Sequence, residues 1–221
     1  MQTIILDFDG TIADTGNCII QTTQKVAKAL GLPHVDESEI KNLIGLPLQE
    51  TLIRLLHLSD EDDSQNAINL YRTFFYASDF DTIKLYPNVK NTLETLFSNG
   101  VTITVASSRG KDSLSILLKK LGIMEYISLI LGEQDVVNKK PAPDMALRIL
   151  KETKTLPENA LVVGDTIYDI EMGQRAGCLT CGVTYGNHSE IQLKKQGADF
   201  IINDFISIFS FYNKKNYLCQ N

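Results

Sequence analysis

Short runs of aliphatic and β-branched residues alternate with amphipathic stretches along most of the chain. TIIL (3–6) comes first, and after residue 85 the runs are VTITVA (101–106), SLILG (128–132), ALVVG (160–164), LTCGV (179–183) and ADFII (198–202). Strand-like runs separated by helical patterns are the sequence form of a parallel sheet covered by helices. The helical stretches carry recognisable ends. Pro87 opens one that turns Leu93, Leu96 and Phe97 inward, and Gly100 stops it. Leu114, Leu117, Leu118 and Leu121 form a stripe ended by Gly122; Pro143 begins another helix, and Gly177 closes the one that starts near Asp165.

Residues 13 to 82 show helical spacing without a convincing strand. Ile19, Thr23, Val26 and Leu30 repeat at helical intervals, Leu48, Leu52 and Leu55 give another stripe, and Ile68, Tyr71 and Phe75 a further one. Asp36 with Glu39, and Ser59 with Asp62, read as helix starts. The pattern predicts an α/β fold: a doubly wound, Rossmann-like parallel sheet core of residues 1–13 and 83–221, with an inserted all-helical cap of residues 14–82. The crossings near 13–16 and 79–85 would act as hinges, and NKKNYLCQN reads as a polar tail.

A chain of 221 residues has room for one large domain or a domain with an insertion. The formal net charge of -6 and the lack of a Lys/Arg block argue against nucleic acid as a partner. The opening Met1-Gln2-Thr3 lacks a basic signal-like region, and the late run FIINDFISIFSFY is too short to span a bilayer. A cytoplasmic protein with no membrane partner is the expectation, with monomer and homodimer both open. Cys178 and Cys181 form a CxxC, but a strand sends positions three apart to opposite faces and no second Cys/His pair lies nearby, so they read as small buried strand residues. Cys18 and Cys219 are isolated.

In open α/β sheets ligands bind beyond the carboxyl ends of the strands. Four such ends carry reactive groups: Asp7 and Asp9 after TIIL; Ser107, Ser108 and Arg109 after VTITVA; Lys139 and Lys140 in NKKPAPD; Asp165 and Asp169 after ALVVG. Asp7 and Asp9 project to one side if extended geometry persists. Two such charges about 5 Å apart repel by roughly 3 kcal/mol at an effective dielectric near 20, enough to raise one pKa by about two units unless a cation intervenes. With Asp165 added, a hard cation on oxygen ligands is the expected solution, and an incomplete protein shell suits Mg2+ better than calcium.

The hydroxyl and ammonium groups of Ser107 and Lys140 suit a phosphoryl group, with Ser108 as a neighbouring donor and Gly10 and Thr11 supplying a tight turn and further donors. Asp7, nearest the strand, then serves as the nucleophile that forms an aspartyl-phosphate, and Asp9 as the acid and base. Each motif has a plainer reading: DFDG as a turn, GDTIYD as an acidic first helical turn, KPAP as a loop before a helix. Their order and their shared position after strands favour the chemical one. Arg54 and Arg109 are candidate substrate contacts against the ordinary expectation of solvated arginines, while His34, His57 and His188 show no ligand spacing.

The ordered motifs DFDGTIADT, VTITVASS, KPAPD and GDTIYD resemble those of the haloacid-dehalogenase-like (HAD) hydrolases, phosphatase branch, over nearly the whole chain. The resemblance implies Asp7 as nucleophile, Asp9 as acid/base that also binds the metal through its backbone carbonyl, Ser107 and Lys140 on the phosphate, Asp165 on Mg2+ and Asp169 in support. IGLPLQETL is similar to the cap segment that reaches substrate in phosphoglycolate phosphatases and related pyrophosphatases, and it puts Gly45 over the phosphate. Where the phosphoglycolate branch often continues its second motif as Thr-Asn-Lys, this chain has Ser107-Ser108-Arg109. The implied function is hydrolysis of small phosphomonoesters, phosphoglycolate foremost. A β-phosphoglucomutase-like sugar phosphomutase and a non-catalytic phospho-ligand sensor are the alternatives; a dehalogenase would need neither Mg2+ nor Asp9.

Overall fold

The computed structural model describes residues 2–78 and 80–211; the NKKNYLCQN tail with Cys219 lies outside the described residues. In chain order, β1 (Thr3–Leu6) and a two-residue β2 (Ala13–Asp14) lead into α1 (Gly16–Ala29), α2 (Glu37–Leu43), α3 (Leu48–Leu56) and α4 (Glu61–Tyr76), and β3 (Lys84–Leu85) brings the chain back. Then follow α5 (Val89–Ser98), β4 (Thr102–Ala106), α6 (Lys111–Lys120), β5 (Leu129–Leu131), α7 (Asp144–Thr153), β6 (Ala160–Gly164), α8 (Ile167–Arg175), β7 (Leu179–Val183), α9 (Glu190–Gln196) and β8 (Phe200–Ile202).

Six strands form one parallel sheet in the order β5-β4-β1-β6-β7-β8. From β1 the chain winds outward through β4 and β5 on one side, then returns to add β6, β7 and β8 on the other. The switch falls between β1 and β6, the place where such a sheet opens a crevice at its carboxyl edge. Every residue of β1 is buried, and the strand's twofold alternation splits its side chains between two cores. Ile4 and Leu6 join the larger cluster. Ile5 packs on the opposite face with Met145 and Ile149 of α7. Burying each such aliphatic side chain contributes roughly 1.5–3 kcal/mol, so β1 is a rigid platform for whatever follows Leu6.

The four helices α1–α4 lie between β2 and β3, whose residues pair antiparallel as Ala13↔Leu85 and Asp14↔Lys84. This ribbon occupies the predicted crossings, although it is strand where the spacing gave no sign of one. The apolar stripes are buried as expected: Ile19, Val26, Leu52, Leu55, Ile68, Tyr71 and Phe75 all belong to the larger core cluster. Two local expectations fail. Asp60, not Ser59, caps α4, its carboxylate accepting from the Asp62 and Asp63 N–H groups. Phe97 is 49% exposed, because the buried stripe of α5 runs through Val89, Thr92, Leu93 and Leu96 instead. Among the described residues no helix is long and apolar enough to cross a membrane.

Candidate active site

The ladder continues one residue past β1, the Asp7 N–H donating to the Val163 carbonyl at 2.9 Å, and the chain then turns. The Phe8 carbonyl accepts from the N–H groups of Ile12 and Ala13 at 3.1 and 3.0 Å, and Gly10 takes a φ of +93°, so the chain folds into a tight loop before β2. The carboxylates of Asp7 and Asp9 both line one cavity, as expected, but they take different partners. Asp7 turns to a buried acidic cluster with Asp165 and Asp169, whose ligand oxygens lie within 4.8 Å of one another. The side chain of Asp9 is not in that group; it pairs with Arg109, whose Nε donates to Oδ2 at 3.0 Å and Nη2 to Oδ1 at 2.6 Å, while the Thr15 hydroxyl donates to Oδ1 at 2.6 Å.

Lys140 binds the cluster together. Its Nζ donates to Asp7 Oδ1 at 2.7 Å and to Asp169 Oδ1 at 2.6 Å, and the side chain is fully buried. Burial works against the ammonium charge, but Asp169 and Asp7 outweigh it and hold the lysine above its ordinary value. Asp169 is further fixed by Thr166, whose backbone N–H and hydroxyl both donate to Oδ2 at the entrance of α8. Asp165 accepts from the Thr11 hydroxyl at 3.0 Å and from both the backbone and side-chain nitrogens of Asn187 at 2.7 Å. Packing around Asp165 is close enough that a Cβ on Gly10 would stand 2.2 Å from its Oδ2, and one on Gly186 would stand 2.3 Å from its Cβ.

The cluster carries more negative than positive charge. Burial, then the neighbouring Asp169, pushes Asp165 up to about 7 against the hydrogen bonds of Asn187 and Thr11. Asp7 is also raised well above its ordinary value by burial; Lys140 opposes this, and the other three aspartates add to it. Three carboxylates facing one ammonium leave two negative charges uncompensated. The oxygen-only donor set and that imbalance fit one hard divalent cation.

The hydroxyl groups divide in function. Ser107 is buried, and its Oγ accepts from the Arg109 N–H at 3.2 Å, which leaves its own proton to donate elsewhere. Ser108 donates to the Gly45 carbonyl at 2.6 Å, so it tethers the loop between α2 and α3 to the sheet. Gly45, with φ +103°, sits so near α8 that a Cβ would meet Thr166 Oγ1 at 2.9 Å. A cavity of about 120 Å3 is lined by Asp7, Asp9, Ser107, Ser108 and Arg109 and by Ile19, Ile44, Leu46, Tyr71 and Phe75 of the segment between β2 and β3. Arg54 is elsewhere: it pairs with Glu50 and lines an open groove with Val137, Lys139 and Lys140.

Two further residues belong to the site: Asn187, which the motifs do not mark, and His188, which shows no ligand spacing. Asn187 and His188 follow β7, a fifth strand end whose loop TYGNH has the Asn and Gly expected of a tight connection near a ligand. His188 Nδ1 accepts from the Ile167 N–H at 3.1 Å, so its proton sits on Nε2, facing the Asn42 carbonyl at 3.1 Å. Burial pushes the ring below its ordinary value, in keeping with a neutral imidazole bridging the inserted helices and the sheet. Cys178 and Cys181 are free and buried, with burial pushing the thiols up to about 11 and about 12, as expected of packing residues.

Comparison with known proteins agrees with this geometry. Residues 4–183 match the family model described as haloacid dehalogenase-like hydrolase. The probable phosphatase IndB of Dickeya dadantii is 31% identical over 93% of this chain and 90% of its own length. A phosphoglycolate phosphatase of Vibrio cholerae is 32% identical over 92% of this chain and 93% of its own. Among solved structures, a predicted phosphoglycolate phosphatase from Haemophilus somnus superposes with a TM-score of 0.88 at 25% identity, over 96% of this chain and 98% of that one. With a shared fold and a match along most of its length, the chain belongs to the haloacid dehalogenase-like hydrolases, in their phosphoglycolate phosphatase-like branch.

Proposed function

We propose that this chain is a magnesium-dependent phosphatase that hydrolyses small phosphomonoesters through an aspartyl-phosphate on Asp7. The observation that carries the reading is the fully buried Lys140 ammonium, shared between Asp7 and Asp169 beside Asp165. Asp7 and Asp165, with the Asp9 carbonyl and support from Asp169, would hold the metal. When bound, Mg2+ supplies the charge that lets an anionic phosphate approach an anionic nucleophile.

The residues of the chain account for the rest. An oxygen of Asp7 attacks phosphorus, the ester P–O bond breaks, and the departing oxygen takes a proton from Asp9. Asp9 then removes a proton from water as the water oxygen attacks phosphorus. The bond between Asp7 and phosphorus breaks, restoring the carboxylate and releasing inorganic phosphate. Ser107 Oγ–H and Lys140 Nζ donate to the phosphoryl oxygens throughout. The hydroxyls of Thr11 and Ser108 are already directed at Asp165 and Gly45, so the share of Thr11 in phosphate binding falls to the backbone of its loop.

Residues 14–82 serve as a cap over a core of residues 1–13 and 83–221, hinged at the β2–β3 ribbon. Docked through Gly45 and Asn42, the cap excludes water from the cavity. Phosphoglycolate leads the candidate substrates, supported by the name of the Vibrio cholerae relative. The test is phosphate release from a panel of phosphomonoesters with Mg2+ and with EDTA. Release that depends on Mg2+ and is strongest with phosphoglycolate is expected; no release from any ester would contradict the reading.

A further inference from the structure

Asp9 must be free to give and take a proton in the reaction proposed above, yet it is held from three directions. Both of its oxygens accept from the forked Arg109 guanidinium, and Oδ1 accepts from Thr15 as well. Three of about four lone-pair sites are taken, and a proton on the remaining site of Oδ2 would stand against the guanidinium charge while that fork is closed. Arg109 is held just as firmly: Nη1 donates to Ser113 Oγ at 3.0 Å, and its Cζ lies 4.4 Å from the centre of the Phe75 ring. The two side chains are only 9% and 12% exposed, so the pair is largely sheltered from competing water.

The pair also lines the cavity together with Asp7 and the apolar Ile19, Ile44 and Leu46. The other cationic side chain of that lining, Arg72, faces Glu133 at 3.6 Å. An anionic group brought into this cavity would be drawn to Arg109, and its natural course is to take the place of the Asp9 carboxylate in the fork. A neutral group has no means of opening the pair.

We propose that Arg109 is a substrate-reading latch. It holds Asp9 in an ion pair until a second anionic group, carried on the leaving part of the phosphomonoester, claims the guanidinium and frees Asp9 for proton transfer. The substrate class is therefore a phosphate ester or anhydride with a carboxylate or a second phosphoryl group next to the bond that breaks. The inference rests on the acid/base role given to Asp9 under the proposed function, and it makes Arg109 a specificity-determining residue.

The test compares phosphoglycolate, pyrophosphate and the neutral-tailed ethyl phosphate in the full-length wild-type protein and in Arg109→Gln and Arg109→Lys, all with Mg2+. In wild type, kcat/KM for phosphoglycolate or pyrophosphate should exceed that for ethyl phosphate by on the order of 100-fold, the scale of a sheltered charge pair. Whichever of the two anions is preferred identifies the carboxylate or the phosphoryl group as the ligand. In Arg109→Gln the preference should collapse while kcat for ethyl phosphate rises, because Asp9 is no longer held; Arg109→Lys should fall between. A merely structural arginine could lower every rate but could not raise one. Equal wild-type activity on all three, a reading that needs no variant, would overturn the latch, as would an unchanged preference in Arg109→Gln. Failure to hydrolyse any of the three would instead overturn the phosphatase reading itself.

Discussion

Lys140 Nζ stands 2.7 Å from Asp7 Oδ1 across 133 positions of sequence, and this contact joins the loop before α7 to the end of β1 in the centre of the sheet. The same ammonium reaches Asp169 at 2.6 Å, so one side chain sets the spacing of two carboxylates that would otherwise repel. Removing a single partner from a buried ion pair leaves uncompensated charge, at a cost of about 3–5 kcal/mol.

Lys140→Met should therefore lower both stability and turnover. The unfolding free energy in denaturant should fall by about 3 kcal/mol or more without Mg2+, and kcat/KM should drop by about 100-fold or more as the developing phosphoryl charge loses a donor. Negligible loss of turnover would move the role to Lys139, which faces Glu133 at 3.5 Å.

The acidic cluster makes a signed prediction for pH. Asp165 is pushed up from 3.8 to about 7, and Asp7 is raised in the same direction, so across that range the folded chain binds protons that the unfolded chain has released. Their contribution to stability is present at low pH and is lost as pH rises through the raised values. In EDTA, the denaturant midpoint should lose ground between pH 5 and about 8 relative to an Asp165→Asn variant. Saturating Mg2+ should remove most of that difference, because the cation replaces the bound protons. An identical pH slope in both proteins would show that the cluster is already compensated.

Much of this site was legible because its parts follow strands. Asp7, Ser107 and Asp165 each sit directly behind an apolar run, and a parallel sheet with its switch beside β1 brings such ends together. Lys140 stood out by its loop ahead of Pro143. The partner of Asp9 could not be read: period-two alternation puts its carboxylate on the side of Asp7, and both line one cavity, but no spacing shows that an arginine 100 positions away takes it. Ser107 and Ser108 line one cavity, and no spacing shows that the Ser108 hydroxyl meets the Gly45 carbonyl. Asn187 carries no motif and His188 no ligand spacing, because amide and imidazole bonds to a carboxylate and to backbone groups need none. At α4, Ser59 and Asp60 are both good capping residues, and only the backbone path decides between them.

The most direct test of phosphoryl transfer through Asp7 is the rate of phosphate release from p-nitrophenyl phosphate with Mg2+ in wild type and in Asp7→Asn, with circular dichroism confirming that both are folded. The amide keeps the size of the side chain and relieves one charge of the cluster, so the variant should remain folded while turnover falls by about a thousandfold or more. An Asp7→Asn protein that hydrolyses the ester at the wild-type rate would contradict the assignment.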